Sequence, residues 1–225
     1  MPLILNIETS TTLCSVSLAK AGLILASKEV NEGFTHAENL HVFIEEVLAK
    51  VGKSTKDLNA IAVGSGPGSY TGLRIGVSAA KGLAYALQIP LIAVNTLQTM
   101  AAVALQKNKS DILFCPMLDA RRMEVYTAIF DKDLNTVKET SAQILPEALS
   151  FFETGKSICF FGDGMPKCKE LLSQIPNSIF LEGIVPSTSG LAELSNERHS
   201  KGQFEDVAYF EPFYLKNFLI NTKTS

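Results

Sequence analysis

Apolar positions along the first third of the chain change period several times, and each change marks an element. Residues 3–7 are a short apolar run, residues 13–19 alternate, and residues 23–30 alternate more loosely after the turn at Lys20, Ala21 and Gly22. Three strands with such tight connections predict an antiparallel meander. The period then lengthens. Leu40, Phe43, Ile44, Val47, Leu48 and Val51 fall on one helical face, Thr35 and Glu38 match a capping box before it, and Gly52 is placed to end it. Residues 60–63 read as a buried strand, 64–69 as a glycine-rich turn and 70–87 as a second helix. A strand at 90–94 and a helix at 97–106 complete the order β-β-β-α-β-α-β-α, which fits a mixed sheet with helices packed on it.

The polar stretch 106–111 is the best boundary in the chain, and after it the pattern starts again. Apolar runs 112–118 and 124–130 flank Asp119, Ala120, Arg121, Arg122 and Met123 as a hairpin, with a third strand near 138–144. Pro146 is placed to open a helix over 147–152. Residues 158–161 read as a strand ending in Gly162, Asp163 and Gly164, residues 167–174 as a helix, 187–201 as a polar helix and 210–218 as an aromatic-rich tail. Two halves that each open with strands and then add helices predict a duplicated architecture, although no residue-level repeat accompanies it. Residues 1–107 are expected to form one lobe carrying partner-binding helices. Residues 108–225 are expected to form a second, with a cleft between the two and the tail packing back on the first.

Composition narrows the classes. Of 225 residues, 46% are apolar and 19% charged, enough to bury a sizeable core. The net charge of −3 argues against a stand-alone DNA or RNA binder, which would carry a basic surplus. The cysteines, Cys14, Cys115, Cys159 and Cys168, form no CxxC pair and no zinc spacing, so they read as reduced, buried thiols. The N-terminus lacks a basic n-region, and the apolar runs are far shorter than the ~20 residues that span a bilayer. The expectation is a cytoplasmic protein with no membrane contact.

Candidate chemistry is sparse. The glycine turn lacks the Lys-Ser/Thr of a Walker loop, because Gly72 is followed by Leu73 and Arg74, and Tyr70 and Thr71 stand where G-x-G-x-x-G needs its third glycine. Two readings stay open: a turn whose amides and following helix hold an anion, or a tight turn with no ligand. In helix 70–87, Ile75, Ala79, Gly82 and Ala86 form a stripe of mostly small residues, and Gly72, Gly76 and Ala80 continue it alongside. Glycine inside a helix costs ~1 kcal/mol against alanine, so close approach of another element is expected, either this protein's own sheet or a partner subunit. His36 and His41 lie about 140° apart around a helix at ~100° per residue, which is wrong for a metal pair. His41 and Glu45 lack a third ligand, and all three histidines, His199 included, read as solvated. Asp119, Arg121 and Glu124 at the hairpin, and Glu8 with Thr9, Ser10, Thr11 and Thr12 after the first strand, are charged or polar strand ends suited to a cleft.

These segments together resemble one family. Residues 4–11 (Ile-Leu-Asn-Ile-Glu-Thr-Ser-Thr), 66–76 (Gly-Pro-Gly-Ser-Tyr-Thr-Gly-Leu-Arg-Ile-Gly), 117–121 (Met-Leu-Asp-Ala-Arg) and 212–216 (Pro-Phe-Tyr-Leu-Lys) stand in the order and spacing of the TsaB (YeaZ) proteins, a nearly full-length match. The resemblance implies an α/β, two-lobed actin/Hsp70/sugar-kinase-like (ribonuclease H-like) fold with mixed sheets flanked by helices. It implies a non-catalytic subunit for threonylcarbamoylation of the adenosine beside the tRNA anticodon, pairing with catalytic TsaD and with the ATPase TsaE. Alone such a chain is expected to form a homodimer, and to meet tRNA only indirectly through the complex. The expected interface is Gly72, Ile75, Gly76, Ala79 and Ala80 with Leu40 and Ile44. No catalytic residue, metal or cofactor is implied. Ser10, Gly66, Gly68, Ser69, Asp119 and Arg121 are the cleft candidates for residual ATP or ADP, and the partner interface is the other place for it. The sequence is also similar to TsaD, whose His-x-x-x-His metal motif falls at Thr96 and Met100 here, neither a good ligand. Kinases of this fold usually place a glycine after the acidic residue of the first turn, where this chain has Thr9 and Ser10 after Glu8. The alternative, an active ATP-dependent kinase or metal-dependent hydrolase of the same fold, needs a metal motif or a glycine-bearing phosphate turn of that kind.

Overall fold

The computed structural model describes residues 1–33 and 35–215. The meander forms as read: β1 (Leu3–Glu8), β2 (Cys14–Lys20) and β3 (Leu23–Val30) pair antiparallel, with Leu3 opposite Lys20 and Cys14 opposite Val30. Helix α1 (His36–Lys50) follows, then β4 (Ala60–Gly64), α2 (Tyr70–Leu87), β5 (Leu91–Val94) and α3 (Thr96–Lys107). Strands β4 and β5 add parallel to β1, giving the order β3-β2-β1-β4-β5. The second half repeats the plan with β6 (Leu113–Asp119), β7 (Glu124–Phe130), β8 (Thr136–Ile144), β9 (Ile158–Phe161), α4 (Met165–Leu172), β10 (Ser178–Leu181) and α5 (Thr188–Ser200). Its strands form the order β10-β9-β6-β7-β8, again an antiparallel meander extended by parallel strands.

Strand alternation decides what each face meets. In β1, Leu3, Leu5 and Ile7 join Leu40, Phe43, Ile44 and Val77 in the core beneath α1 and α2. On the other face, Ile4, Ala60, Ala62, Ile92 and Val94 pack against Leu191 and Leu194 of α5. The second sheet sends Cys115, Met117 and Ile129 toward α4, and Phe114, Leu118 and Phe161 toward Leu97 and Met100 of α3. Thus α3, which precedes the polar break at 107/108, packs on the second sheet, and α5 returns to the first. Hydrogen bonds seat α5 there: Ser195 Oγ donates to Asn6 Oδ1 at 2.6 Å, and Ser187 Oγ to Glu29 Oε1 at 2.5 Å. The two crossing helices touch at Gly190, where a Cβ would fall closer than 3.0 Å to the Thr99 carbonyl.

Two local expectations fail, and one element was not read. Thr35 sits at the N-cap of α1 but does not cap it, because its hydroxyl accepts from Asn39 Nδ2 at 2.8 Å instead of from a helix amide. Pro146 opens no α-helix. The chain makes only a short 3-10 turn at Leu149–Phe152, which buries Phe152. Strand β10 was not anticipated, since residues 178–181 are only half-buried at a sheet edge and carry little periodicity. No helix among the described residues is long and apolar enough to cross a membrane.

Candidate functional site

The parallel strands β1, β4 and β5 all end at the same edge of the first sheet, and the segments that follow them meet there. Ser10, Gly66, Gly68 and Ser69 are brought together. Ser69 N donates to Ser10 O at 2.7 Å, Ser65 N to Val94 O at 2.8 Å, and Gly66 N to Thr96 Oγ1 at 3.1 Å. An anion cradle needs free amides, and these three are engaged within the chain. Ser69 also caps α2, accepting from Gly72 N at 3.3 Å.

The glycines of the turn serve close internal packing. A Cβ on Gly64 would fall closer than 3.0 Å to the Glu8 carboxyl, one on Gly68 closer than 3.0 Å to the Ser10 carbonyl, and one on Gly66 at 2.7 Å from the Phe213 carbonyl. Gly66 in addition has φ +106, open to glycine. Glu8 is fully buried, and Ser10 N donates to its Oε1 at 2.8 Å. Burial pushes its carboxyl above the ordinary glutamate range, while the hydrogen bonds from Ser10 and Thr9 pull the other way. The room beside Gly64, Gly68 and Gly66 is thus taken by Glu8, Ser10 and Phe213, the last in a strap of residues 202–215.

That strap follows α5. Glu205 N donates to Leu91 O at 2.9 Å on the outer edge of β5, Lys81 Nζ holds Phe210 O at 2.7 Å and Ala208 O at 3.3 Å, and Phe213 N donates to Ser65 O at 2.7 Å. The Tyr214 ring lies 5.1 Å from that of Tyr70. The expected aromatic tail at 210–218 matches the strap as far as Leu215, and its remainder lies outside the described residues.

Asp119 and Arg121 belong to a different cluster, at the tip of the β6–β7 hairpin. Asp119 Oδ1 accepts from Arg121 N at 2.7 Å and from Lys167, and Asp119 N donates to Asp163 Oδ1 at 3.0 Å. Partial burial works against the Asp119 charge, but Lys167 and the Arg121 amide outweigh it and hold the carboxyl below its ordinary range. Burial and the neighbouring Asp119 push Asp163 up. Sequence reading missed Asp163 and Lys167 as members of this cluster. The one signal was Gly162-Asp163-Gly164 at the end of a strand.

The places where a related metal motif falls are occupied by packing. The Thr96 hydroxyl accepts from Gly66 N, Thr96 N donates to Gly66 O at 2.9 Å, and Met100 is in the core under the second sheet. His36 corrects the expectation of a solvated histidine: it is buried, with Nε2 2.7 Å from Thr11 O, because α1 begins directly beneath the loop after β1.

The expected interface residues divide. Gly72, Gly76, Ala80, Leu40 and Ile44 are interior, not surface. Thr9 lies against α2, its Oγ1 donating to Gly72 O at 2.8 Å, and a Cβ on Gly72 or Gly76 would fall closer than 3.0 Å to Thr9 atoms. Those glycines exist for this protein's own close packing. Ile75 and Ala79 remain half-exposed, Gly82 and Ala86 are exposed, and a Cβ on Gly82 would meet nothing within 4 Å. One of the two small-residue stripes is therefore internal, while in the other Ile75 and Ala79 pack partly on the core and Gly82 and Ala86 face outward.

Comparison with known proteins gives a consistent picture. A family model described as TsaD, tRNA N6-adenosine threonylcarbamoyltransferase, matches residues 33–216. The tRNA threonylcarbamoyladenosine biosynthesis protein TsaB of Escherichia coli is 32% identical over 221 residues, 95% of this chain and 94% of that protein. A Pseudomonas aeruginosa protein described as similar to the peptidase YeaZ superposes with a TM-score of 0.85 at 26% identity, covering 96% of this chain and all 100% of that one. A candidate N-acetylmannosamine kinase of Listeria monocytogenes, 11% identical, reaches a TM-score of 0.50 over 88% of this chain and 99% of its own, which speaks to fold alone. Two mixed sheets with flanking helices in this arrangement are the actin/Hsp70/sugar-kinase architecture.

Proposed function

We propose that this chain, which belongs to the TsaB (YeaZ) family and so to tRNA threonylcarbamoyladenosine biosynthesis, serves that pathway as a non-catalytic subunit that pairs with a TsaD-type catalytic protein and, through the pair, with TsaE. The observation that carries this reading is the close internal packing of the glycine turn after β4. The amides of Ser10, Gly66 and Ser69 are bonded within the chain, and Glu8, Ser10 and Phe213 take the room beside Gly64, Gly68 and Gly66. A subunit that acts through contact does so by favouring one arrangement of its catalytic partner energetically. The exposed Gly82 and Ala86, beside half-exposed Ile75 and Ala79, support this, since small residues on a helix face admit another helix closely. The same face serves self-pairing when the chain is alone. The charge of −3 supports a division of labour in which other subunits supply the main grip on tRNA.

The test is reconstitution with TsaD, TsaE, tRNA and the activated threonylcarbamoyl donor, scored by modified nucleoside after digestion. Omitting this chain is expected to abolish product. Gly82→Arg adds a bulky cation where no neighbour stands in the way and improves helix propensity by up to ~1 kcal/mol. It should leave the monomer folded, abolish pairing and mimic omission. Full product without the chain, or product lost from a variant that still assembles normally, overturns the reading.

A further inference from the structure

We propose that Arg121 and Arg122 form a phosphate-contact point through which this chain touches the tRNA backbone directly. The inference rests on the role in tRNA modification proposed above. It adds a local contact to a main grip supplied by other subunits.

The turn itself does not call for arginine. The β6–β7 connection is closed by Glu124 N donating to Arg121 O at 3.2 Å, and Arg121 and Arg122 both adopt positive φ, 68° and 50°. That conformation costs an L-residue ~1–2 kcal/mol, and hairpin turns that need it favour Asn, Asp or Gly. Nor do the side chains serve packing. Both residues are exposed, and among the described residues neither guanidinium makes a hydrogen bond or an ion pair within the chain. The two other arginines of the sequence are engaged: Arg74 lies 4.5 Å from the Tyr70 ring centroid, and Arg198 Nη2 donates to Gln98 Oε1 at 3.1 Å.

The tip is held in place from several sides. Asp119 binds the Arg121 amide and Lys167, Lys167 also donates to Glu124 O at 2.7 Å, and Leu145 N donates to Met123 O at 2.9 Å. The Asp119 carboxylate is matched by Lys167, and burial favours the neutral form of Asp163. Two adjacent guanidinium groups therefore stand on a braced turn, that of Arg121 feeling the Asp119 charge but neither hydrogen-bonded to an acid of its own chain. Guanidinium is always charged and matches phosphate oxygens in a fork. The curated relatives carry tRNA in the name of their pathway, which puts a polyanion with a phosphate at every nucleotide in the same reaction.

The experiment compares the wild-type chain with an Arg121→Asn/Arg122→Gly double variant, each assembled with TsaD. Binding of an unmodified tRNA transcript is measured across a range of salt concentrations. The variant carries residues the turn prefers, so its melting temperature should be equal or higher and the mass of the assembly unchanged. Its tRNA affinity should fall about tenfold, and the slope of log K against log salt should flatten by about 2, one for each phosphate no longer neutralised. An Arg121→Lys/Arg122→Lys variant should retain the slope. If the Asn/Gly variant melts lower, Arg121→Gln/Arg122→Gln removes the charges with the backbone cost unchanged and should flatten the slope equally. An unaltered affinity and slope overturn the proposal. So does loss of assembly with TsaD, which would assign the arginines to a carboxylate on a protein partner. Product formed without this chain would overturn the subunit reading instead, and that result is separate from the binding slopes.

Discussion

Glu8 sits fully buried at the end of β1, raised by that burial above its ordinary range. Unfolding returns it to water, so the native state holds a proton that the unfolded chain releases. The stability this provides is complete below the ordinary value and is lost as pH rises from there through the raised native one. Glu8→Gln mimics the neutral acid and removes the titration. Thermal melts of wild type and variant are expected to run together near pH ~4 and to separate by pH ~7, with the variant melting higher; parallel curves would mean the carboxyl is not held neutral. At this scale the sequence was partly legible. Glu8 with Ser10 could be singled out because they stand where the first strand ends, and Thr96 with Met100 because they fall at the positions of the related TsaD metal motif. Asp163 and Lys167 could not, because they meet Asp119 from 44 and 48 residues away. His36 was misread for the same reason, its partner Thr11 lying 25 residues back in a loop with no periodicity.

A helical period shows which residues share a face but not what that face meets. In α2 the stripe at Gly72, Gly76 and Ala80 and the stripe at Ile75, Ala79, Gly82 and Ala86 looked equivalent in sequence, and only the first packs on Thr9. The difference is measurable. Gly72→Ala forces a methyl against the Thr9 carbonyl and should destabilise by about 1–3 kcal/mol, as overpacked cores do. Gly82→Ala, with open space, should stabilise by up to ~1 kcal/mol. Urea unfolding of the two variants reads both signs, and equal effects would mean that α2 is seated differently. The meander, α2 and the hairpin were legible because their patterns are long and their turns short. The capping box at Thr35 and the helix after Pro146 were not, because a local motif states a preference that a neighbouring side chain, here Asn39, or a packing demand, here Phe152, can outbid.

Across the whole molecule the repeated order of strands and helices foretold two sheets of like topology. It did not foretell the exchange of helices, because α3 and α5 carry no mark of which sheet they cover. The exchange predicts that residues 1–107 expressed alone will not give a soluble, cooperatively unfolding lobe. Ile4, Ala62, Ile92 and Val94 would lack α5, and Leu97 and Met100 of α3 would lack the second sheet. Sedimentation and a melting curve of that fragment are the check, and a monomeric two-state unfolder would contradict it.

The same exchange sets a timetable for synthesis. Strand β5 closes the first sheet at Val94, yet the helix that covers its open face begins at Thr188. At ~5–20 residues per second a ribosome needs roughly 5–20 s to make the intervening ~100 residues. For that interval the nascent chain presents an uncovered apolar sheet face, so this protein should be a client of ribosome-associated chaperones late in its translation, and codons that slow the second half should cost more soluble product than codons that slow the first.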